Sequence, residues 1–243
     1  MKQLLVYVPC YNEEEAIEPM ANTFATLHER LQKNSLQLQV VWINDASRDT
    51  TPEKIDAVCS KYSFARAIHH PQNKGLVGVL ETSLSDAGTL NSENLFAIGI
   101  LDGDNSHPAE FFLPMIEKID LGYDLVIASR FQVGSIVEGV PFHRQLLSLG
   151  MSYLFRLAGR ITNVHDYSCG FRLYKAPLFQ KLKDYKFRKR SFACMVELLI
   201  ACADKKALCC EVPFILRYDQ KMSESKMRVW WTIRETLSVL IKH

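Results

Sequence analysis

The sequence lacks long apolar runs, glycine-rich phosphate loops and a strong charge of either sign. No apolar segment approaches the roughly 18 residues that a bilayer-spanning helix needs, so we expect no membrane span. The GxGxxG pattern of dinucleotide-binding folds and the GxxxxGK[ST] pattern of P-loop proteins are both missing, which argues against those two classes. The formal net charge is only +2, so no overall field points to a nucleic-acid partner.

A disulfide framework and a zinc centre are also unsupported. The seven cysteines are an odd number and lie mostly in apolar segments, and their spacing with the seven histidines matches no zinc pattern. The run from Met1 to Pro9 is short and lacks a cleavage pattern of small residues, so it predicts a first strand and not a signal peptide. Together these features predict reduced core thiols in a cytoplasmic protein.

The sequence does contain a regular alternation of strand-like and helix-like segments over residues 1–130. Short polar loops join them, and this pattern predicts an α/β fold with a mostly parallel central sheet flanked by helices. Asn12 precedes three glutamates and a helix-like segment, so we predict that it is the N-cap of the first helix. The predicted strands are Leu4–Val8, Gln39–Ile43, Ala65–His69, Leu95–Leu101 and Asp124–Ser129.

The fourth predicted strand ends in two aspartates, Asp102 and Asp104, followed by turn-forming residues and Pro108. Magnesium and manganese prefer oxygen ligands, and proteins often hold them with one or two carboxylates, leaving the other positions to water and substrate phosphates. The spacing therefore predicts a sparse Mg²⁺ or Mn²⁺ site. Taken alone, it is equally compatible with a turn whose aspartates cap the next helix. His107 is predicted to fill this turn and not to bind the metal.

Polar side chains also follow the other predicted strands, at Tyr11, Asn12, Asp45 and Arg130. In open parallel sheets, ligands bind beyond the carboxyl ends of the strands. These polar ends are therefore predicted to share one ligand-binding edge with the two aspartates.

After Arg130 the alternation stops. We predict one domain, 1–243, with a first half at 1–130, a second half at 131–226 and an amphipathic helix at 227–243. The paired tryptophans and flanking basic residues of that helix are typical of a membrane interface, and packing against the sheet is an equal alternative. Glu197, inside an apolar helical segment, is predicted to hydrogen-bond a neighbouring loop.

Taken in order, these segments resemble those of the family 2 glycosyltransferases of the GT-A fold. The resemblance is to the branch of dolichyl-phosphate mannose synthase and the bacterial polyprenyl-phosphate glycosyltransferases, and it covers nearly the whole chain. The matching segments are Val8–Glu13, Ile43–Ser47, Asn73–Leu76, Leu101–Pro108, Ser129–Phe131, Asp166–Arg172, Glu211–Pro213 and Ser225–Lys226.

The resemblance implies that 1–130 is a nucleotide-sugar-binding half and 131–226 an acceptor-side half. It also implies a role for individual positions. Asp104 would bind the metal, together with Ser106, and Asp166 would be a catalytic base or would orient the acceptor. Arg130 and Arg144 would face the acceptor phosphate or the donor diphosphate, since guanidinium groups grip two oxygens at once. The remaining implied substrate-binding residues are Pro9, Tyr11, Glu13, Ile43, Asp45, Lys74, Asp102, Gly103, Arg172, Arg217 and Lys226.

The chain departs from the family pattern at three places. Asn44 stands where many relatives carry an aspartate, and Ala46 replaces a glycine. The segment 211–226 is one residue longer than in the mannose synthases, which leaves either Arg217 or Lys221 as the partner of Lys226 on the diphosphate.

The resemblance implies a metal-dependent inverting transfer of a sugar from a UDP- or GDP-sugar to a polyprenyl phosphate, at the cytoplasmic face of a membrane. A phosphate acceptor is largely ionised at neutral pH and needs little help from a base. One alternative is the same donor with a glycan, lipid or protein hydroxyl as acceptor. Another is a non-catalytic sugar-nucleotide-binding protein, and a nucleotidyltransferase is more remote. No nucleic-acid partner is expected.

Overall fold

The computed structural model describes residues 2–157, 161, 163–221 and 229–241, and within these ranges it leaves out the side chains at 142–144, 147, 157, 229, 240 and 241. The strands are β1 (Lys2–Cys10), β2 (Leu36–Asn44), β3 (Ala65–His69), β4 (Leu95–Ile100), β5 (Leu125–Ser129), β6 (Ile136–Glu138), β7 (Arg172–Lys175), β8 (Cys209–Pro213) and β9 (Ile215–Arg217). The α-helices are α1 (Ile17–Lys33), α2 (Thr51–Lys61), α3 (Gly75–Thr89), α4 (Phe112–Asp120), α5 (Phe142–Leu157), α6 (Ala176–Gln180), α7 (Ala193–Asp204) and α8 (Val229–Ile241). Two 3₁₀ turns, Ala109–Phe111 and Tyr218–Gln220, complete the regular structure of these ranges.

Seven strands form one sheet in the order β3-β2-β1-β4-β7-β5-β8. Its pairs are parallel except where β7 lies antiparallel between β4 and β5. The predicted mostly parallel sheet is therefore confirmed. Strand β7 comes from the predicted acceptor-side half and lies inside the sheet of the first half, so strands from both halves share one core. Strands β6 and β9 form a separate parallel pair.

The core follows from the apolar patterning. The middle of β1 and all of β5 are buried, as expected for strands covered on both faces. Helix α1 buries Ile17, Met20, Phe24 and Leu27, at the three- and four-residue spacing of one helical face. The ring of Phe24 packs edge-on against Trp42 of β2, with 5.9 Å between ring centroids. Cores of this kind hold the sheet rigid beneath the strand ends.

The predicted N-cap role of Asn12 is wrong. Helix α1 starts at Ile17, and Asn12 instead adopts a left-handed backbone conformation with φ of 52°. Its N–H donates to Oγ of Ser47 (3.0 Å), and its Oδ1 accepts from the N–H of Arg48 (2.8 Å). Asn12 therefore ties the end of β1 to the loop after β2.

Helix α8 packs on helix α7, whereas the packing alternative predicted that it lies against the sheet. Glu235 accepts the backbone N–H groups of Arg190 and Ser191, and Val239 is buried. Trp230, on the outer face, is 84% exposed. Among the described residues, no helix is long and apolar enough to cross a bilayer. All seven cysteines are described and are free thiols, as predicted.

Candidate active site

A cleft of about 670 Å³ lies beyond the carboxyl ends of β1, β2 and β4. One side is polar and is formed by the turns that follow these strands. The opposite side is formed by α5, α7, α8 and the segment around β9. The predicted site residues that line the cleft are Pro9, Tyr11, Glu13, Asp45, Asp102, Gly103, Asp104, Ser106 and Arg130. The structure thus brings together most of the polar strand ends at one edge, as predicted.

Asp104 is held by a local turn. Its Oδ1 accepts the N–H of Ser106 (3.1 Å) and the hydroxyl of the same residue, and Asn105 between them has a φ of 65°. Its Oδ2 accepts a hydrogen bond from the ammonium group of Lys221. Burial raises the pKa of Asp104, but Lys221, then His107, lower it more strongly, so that its pKa lies below the ordinary value. The carboxylate is therefore ionised and oriented.

Asp102 lies on the cleft floor and is more open, with 38% of its side chain exposed. Surrounding protein atoms, and to a lesser degree Asp104, raise its pKa. Its N–H donates to Nδ1 of His107 (3.2 Å), whose ring packs against Phe171, with 5.4 Å between centroids. His107 thus fills the turn, as predicted.

Glycine is required on both sides of Asp102. A Cβ on Gly103 would lie 2.3 Å from the carbonyl oxygen of Pro9, and a Cβ on Gly170 would lie 2.7 Å from Oδ1 of Asp102. The backbone of Pro9 cannot yield to the first contact, and the second would displace the Asp102 carboxylate from its observed position. The two glycines therefore let three chain segments meet at the cleft floor.

The donor set at this floor fits a sparse magnesium or manganese site. The described residues contain no group of three or more His, Cys, Asp or Glu side chains placed to hold a metal. A site with one or two carboxylates, completed by water and substrate phosphates, needs no such group. Asp104 supplies an ionised oxygen ligand and Asp102 a second carboxylate nearby, so the residues present are compatible with the predicted metal.

Asp45 lines the cleft and also has a structural role. Its two oxygens accept the N–H groups of Lys74 and Gly75, each at 2.8 Å, and Oδ1 lies 2.7 Å from Nδ1 of His70. It therefore caps α3, and not the helix that follows it in sequence. Each carboxylate oxygen can accept more than one hydrogen bond, so this capping leaves the predicted contact with a nucleobase open.

Arg130 reaches the cleft from the end of β5, held by Asp166. Its Nε and Nη2 donate to the two oxygens of Asp166 at 2.7 and 2.6 Å, and its own backbone N–H adds a third contact at 3.0 Å. Nη2 also donates to Ser168 (2.7 Å). The side chain of Arg130 is 21% exposed, whereas that of Asp166 is fully buried.

This arrangement favours an orienting role for Asp166 over the predicted alternative of a catalytic base. Burial raises the pKa of the carboxyl, but Arg130 and the N–H of Cys169 hold its pKa below the ordinary value. In this structure both Asp166 oxygens are engaged by Arg130, and the buried carboxylate does not face the cleft. Asp166 is therefore a positioning residue that orients Arg130.

Glu211 on β8 is a positioning residue for the same loop, and the sequence reasoning missed this role. Its buried carboxylate accepts the N–H groups of His165 (2.9 Å) and Asp166 (2.7 Å), and the side-chain amide of Gln132 (2.8 Å). The sequence signal for this role was an acidic residue within an otherwise apolar strand. Glu197 is confirmed as a loop-binding residue, because it accepts the N–H groups of Arg188 and Lys189.

Three predicted substrate-binding residues do not line the cleft in this structure. Arg172 is fully buried and donates to the carbonyl oxygens of residues 167, 169 and 195, so it braces the interior. Ile43 is fully buried within β2 and packs in the core. Lys74 lies outside the cleft lining and contributes its backbone N–H to Asp45.

Arg217 and Lys221, the two candidates for the diphosphate contact, occupy different positions relative to the cleft. Arg217 lies outside the cleft lining and pairs with Glu138 at 3.4 Å, whereas Lys221 lines the cleft. Burial lowers the pKa of an ammonium group, but Asp104 and Asp102 raise the pKa of Lys221 above its ordinary value. The side chain of Arg144 and all of Lys226 lie outside the described residues.

The far side of the cleft carries several apolar side chains among polar ones, which include Ser148, Arg190 and Thr232. Helix α5 contributes Met151, the start of α7 contributes Phe192 and Val196, and α8 contributes Trp231 and Ile233. The cleft therefore joins an acidic floor to a partly apolar wall, with Arg130 at the boundary.

Known proteins resemble this chain in sequence and in fold. A dolichol-phosphate mannosyltransferase of Pyrococcus furiosus is 30% identical over 224 residues, which cover 92% of this chain and 58% of that protein. The chain thus spans little more than half of that relative. A polyprenol monophosphomannose synthase of Mycolicibacterium smegmatis is 23% identical over 227 residues, covering 93% of this chain and 81% of that one.

Among solved structures, glucosyl-3-phosphoglycerate synthase from Mycobacterium tuberculosis, in complex with Mn²⁺ and UDP-glucose, superposes with a TM-score of 0.69 at 19% identity. The match covers 99% of this chain and 78% of that one. This likeness confirms the predicted GT-A fold. The family model described as glycosyl transferase family 2 matches residues 5–183, and the chain belongs to that family.

Proposed function

We propose that this protein transfers a sugar, with inversion at the anomeric carbon, from a nucleoside-diphosphate sugar to a polyprenyl phosphate, and that the reaction requires Mg²⁺ or Mn²⁺. The observation that carries the proposal is the cleft itself, which connects a two-aspartate floor with a partly apolar wall through Arg130. The names of the Pyrococcus and Mycolicibacterium relatives support the lipid-phosphate acceptor.

The donor would lie along the turns after β1, β2 and β4. Its nucleoside would contact Pro9, Tyr11, Glu13 and Asp45, and its diphosphate would pass over Gly103, where a side chain has no room. The metal would bind Asp104, with Ser106 orienting the carboxylate and Asp102 close by. Such a metal would offset the charge that develops on the leaving diphosphate.

The acceptor phosphate would approach Arg130 from the apolar side. The Nη2 group of Arg130 is fixed by Asp166 and Ser168, so the guanidinium is oriented before a phosphate arrives. A phosphate monoester with a second pKa near 6 is largely ionised at neutral pH and can attack without a base. The engagement of Asp166 by Arg130 agrees with this chemistry, since a hydroxyl acceptor would need a base.

The lipid part of the acceptor requires an apolar path and a nearby membrane surface. Helix α5 exposes Leu146, Leu149 and Tyr153, at the spacing of one helical face, and α8 exposes Trp230 and Trp231. Both helices also line the cleft. We propose that these faces lie on the cytoplasmic surface of a membrane, peripherally, so that a polyprenyl chain enters the cleft between them.

Product analysis tests the transfer itself. Purified protein with Mn²⁺ is incubated with undecaprenyl or dolichyl phosphate and each of several UDP- and GDP-sugars, and lipid products are identified by mass spectrometry. We expect a polyprenyl-phosphate sugar from one donor class, with activity lost in EDTA. Transfer only to glycan, lipid or protein hydroxyls would replace the acceptor assignment, and donor binding without any transfer would favour a non-catalytic binding protein.

Flotation with anionic liposomes tests the membrane contact. Wild-type protein is expected to float, and the Trp230→Ala/Trp231→Ala variant to stay largely in the dense fraction. Leu121→Ala is the control, because Leu121 is an exposed apolar residue, 72% accessible, that directly follows α4 and does not line the cleft. Equal flotation of wild type and the tryptophan variant would exclude α8 as the contact.

A further inference from the structure

The ammonium group of Lys221 occupies the oxygen of Asp104 that a metal would need. Ser106 engages Oδ1 of Asp104 through its N–H and its hydroxyl, and Lys221 engages Oδ2. The two side chains are well shielded from water, at 10% exposure for Asp104 and 14% for Lys221. A buried carboxylate without a cation is strongly destabilising, so Lys221 compensates a charge that the fold places there.

A divalent ion and Lys221 cannot share this oxygen. Mg²⁺ binds carboxylates at about 2.0–2.1 Å, so an ammonium hydrogen-bonded to the same atom would lie within a few ångströms of the ion. At such separations two positive charges repel strongly, and more strongly in a partly buried site than in water. Binding of the metal at Asp104 therefore requires that Lys221 leave.

The chain around Lys221 allows that movement. The N–H of Arg217 donates to the carbonyl oxygen of Ser106 (3.0 Å), which anchors the segment to the metal turn itself. Four residues later, Lys221 follows the 3₁₀ turn Tyr218–Gln220 on a flexible side chain, with Nζ 5.6 Å from the centre of the Tyr218 ring. The ammonium can swing while its backbone anchor stays in place.

We propose that Lys221 is a resident cation, which holds Asp104 whenever the metal is absent and passes to the donor diphosphate when the metal binds. This inference rests on the proposed use of a metal and a nucleoside-diphosphate sugar. It predicts that Mn²⁺ alone binds weakly, because it must displace Lys221. It also predicts that Mn²⁺ and the nucleotide strengthen each other's binding, since diphosphate oxygens give the displaced ammonium a new partner.

Calorimetric titration with Mn²⁺ in the absence of nucleotide tests the displacement. The Lys221→Met variant should bind Mn²⁺ about tenfold more tightly than wild type, a difference of about 1.4 kcal/mol. At saturating Mn²⁺, the same variant should bind UDP or GDP about tenfold more weakly. Equal or weaker Mn²⁺ binding by the variant would overturn the proposal, because Lys221 would then be only a phosphate contact.

Two further variants control for charge and for position. Lys221→Arg keeps the positive charge and should bind Mn²⁺ like wild type. Arg217→Met removes a charge from the same segment, but Arg217 pairs with Glu138 and is 41% exposed, so Mn²⁺ binding should not change. If Mn²⁺ affinity rose equally in Arg217→Met and Lys221→Met, the cause would be the loss of a positive charge in this segment. That result would contradict a specific role for Lys221 at Asp104.

Amine labelling of the wild-type protein tests the same movement without a substitution. Saturating Mn²⁺ should raise the acylation of Lys221, measured by peptide mass spectrometry, and added UDP or GDP should lower it again. Lys221 labelling unaffected by Mn²⁺ would overturn the proposal. These binding measurements need no acceptor. If Mn²⁺ and Lys221 compete for Asp104 as expected but no sugar is transferred, only the proposed function is refuted. If Mn²⁺ binds neither wild type nor Lys221→Met, both the metal site and the role of Lys221 are refuted.

Discussion

The two sides of the cleft are held together by different kinds of contact. On the donor side, the turns after β1, β2 and β4 each contain a residue with positive φ, at Asn12, Ala46 and Asn105, and are braced mainly by hydrogen bonds between backbone and nearby side chains. On the acceptor side, buried charges far apart in sequence are paired, as in Arg130 with Asp166.

This difference separates two kinds of aspartate. Asp104 presents an oxygen to the cleft, and its cationic partner comes from a flexible lysine side chain. Asp166 is enclosed, with both oxygens engaged by a guanidinium group. We infer that changes on the donor side affect ligand binding most, and that changes on the acceptor side affect stability and orientation most.

The largest expected effect is the loss of turnover in Asp104→Asn. An amide is a poor metal ligand, so the transition state would lose stabilisation worth several kcal/mol, or about 10³-fold in rate. Initial rates of lipid-linked sugar formation at saturating donor and Mn²⁺ measure this. Asp120→Asn, an exposed residue at the end of α4, should retain full activity. Turnover by Asp104→Asn within tenfold of wild type would contradict the metal assignment.

Asp166→Asn should act mainly on stability. Removing one partner of a buried ion pair costs about 3–5 kcal/mol, because the guanidinium is left without its counter-charge. The rate should fall modestly, while Mn²⁺-dependent donor binding should persist. Urea unfolding and calorimetry measure the two effects, with Asp56→Asn as an exposed control that pairs only with His69. Complete loss of donor binding would contradict the positioning role.

Glu211→Gln should cost about 1–3 kcal/mol of unfolding free energy, since charge-assisted bonds to two backbone N–H groups are weakened. The matched control is Glu138→Gln, whose side chain is 44% exposed beside Arg217 and whose loss should cost under about 1 kcal/mol. If both variants lost the same stability, the loop would not depend on Glu211.

Low pH should remove the contribution of Asp166 to the free energy of unfolding. Although burial raises its pKa, Arg130 holds the folded-state pKa of Asp166 below the ordinary 3.8. A depressed carboxyl pKa stabilises the fold above the unfolded-state pKa, and this stabilisation is lost as pH falls through the folded-state value. The stability gap between wild type and Asp166→Asn should stay constant between about pH 5 and 7 and narrow below about pH 4. A gap independent of pH would contradict the pairing.

The smallest expected effect is a gain of about 0.5–1 kcal/mol in Ala46→Gly. Ala46 has a φ of 57°, a conformation that glycine adopts without strain. Thermal unfolding measures the gain, and Ala57→Gly, inside α2, should instead lower stability. A loss of stability in Ala46→Gly would show that the turn tolerates alanine without cost.

The donor-side architecture was predictable from local sequence. Strand β3 was predicted at its observed bounds, and the fold class and shared edge of polar strand ends were also correct. The reason is physical, because buried parallel strands are continuous apolar runs and their carboxyl ends meet at one edge. The acceptor side was less predictable, since the partners of Asp166, Glu211 and Lys221 lie 36 or more residues away.

The errors have the same cause. Arg172 is the last residue of a segment that matches the family pattern, but only the three-dimensional structure shows that its guanidinium is enclosed by carbonyl groups. The insertion of β7 between β4 and β5, against the direction of its neighbours, was likewise invisible in a four-residue strand. The local sequence pattern reveals helices and strands. Contacts between residues far apart in the sequence decide which charged side chains face the cleft.

The central claim is that the floor of this cleft binds a nucleoside diphosphate through a metal held by Asp104. The most direct measurement is calorimetric titration of UDP and of GDP into wild type and Asp104→Asn, each with and without Mn²⁺. We predict that Mn²⁺ increases the affinity of wild type for one of the two nucleotides by at least about tenfold. The affinity of Asp104→Asn for that nucleotide should be the same with and without Mn²⁺. Nucleotide binding that ignores Mn²⁺, or that responds to Mn²⁺ equally in both proteins, would contradict the claim.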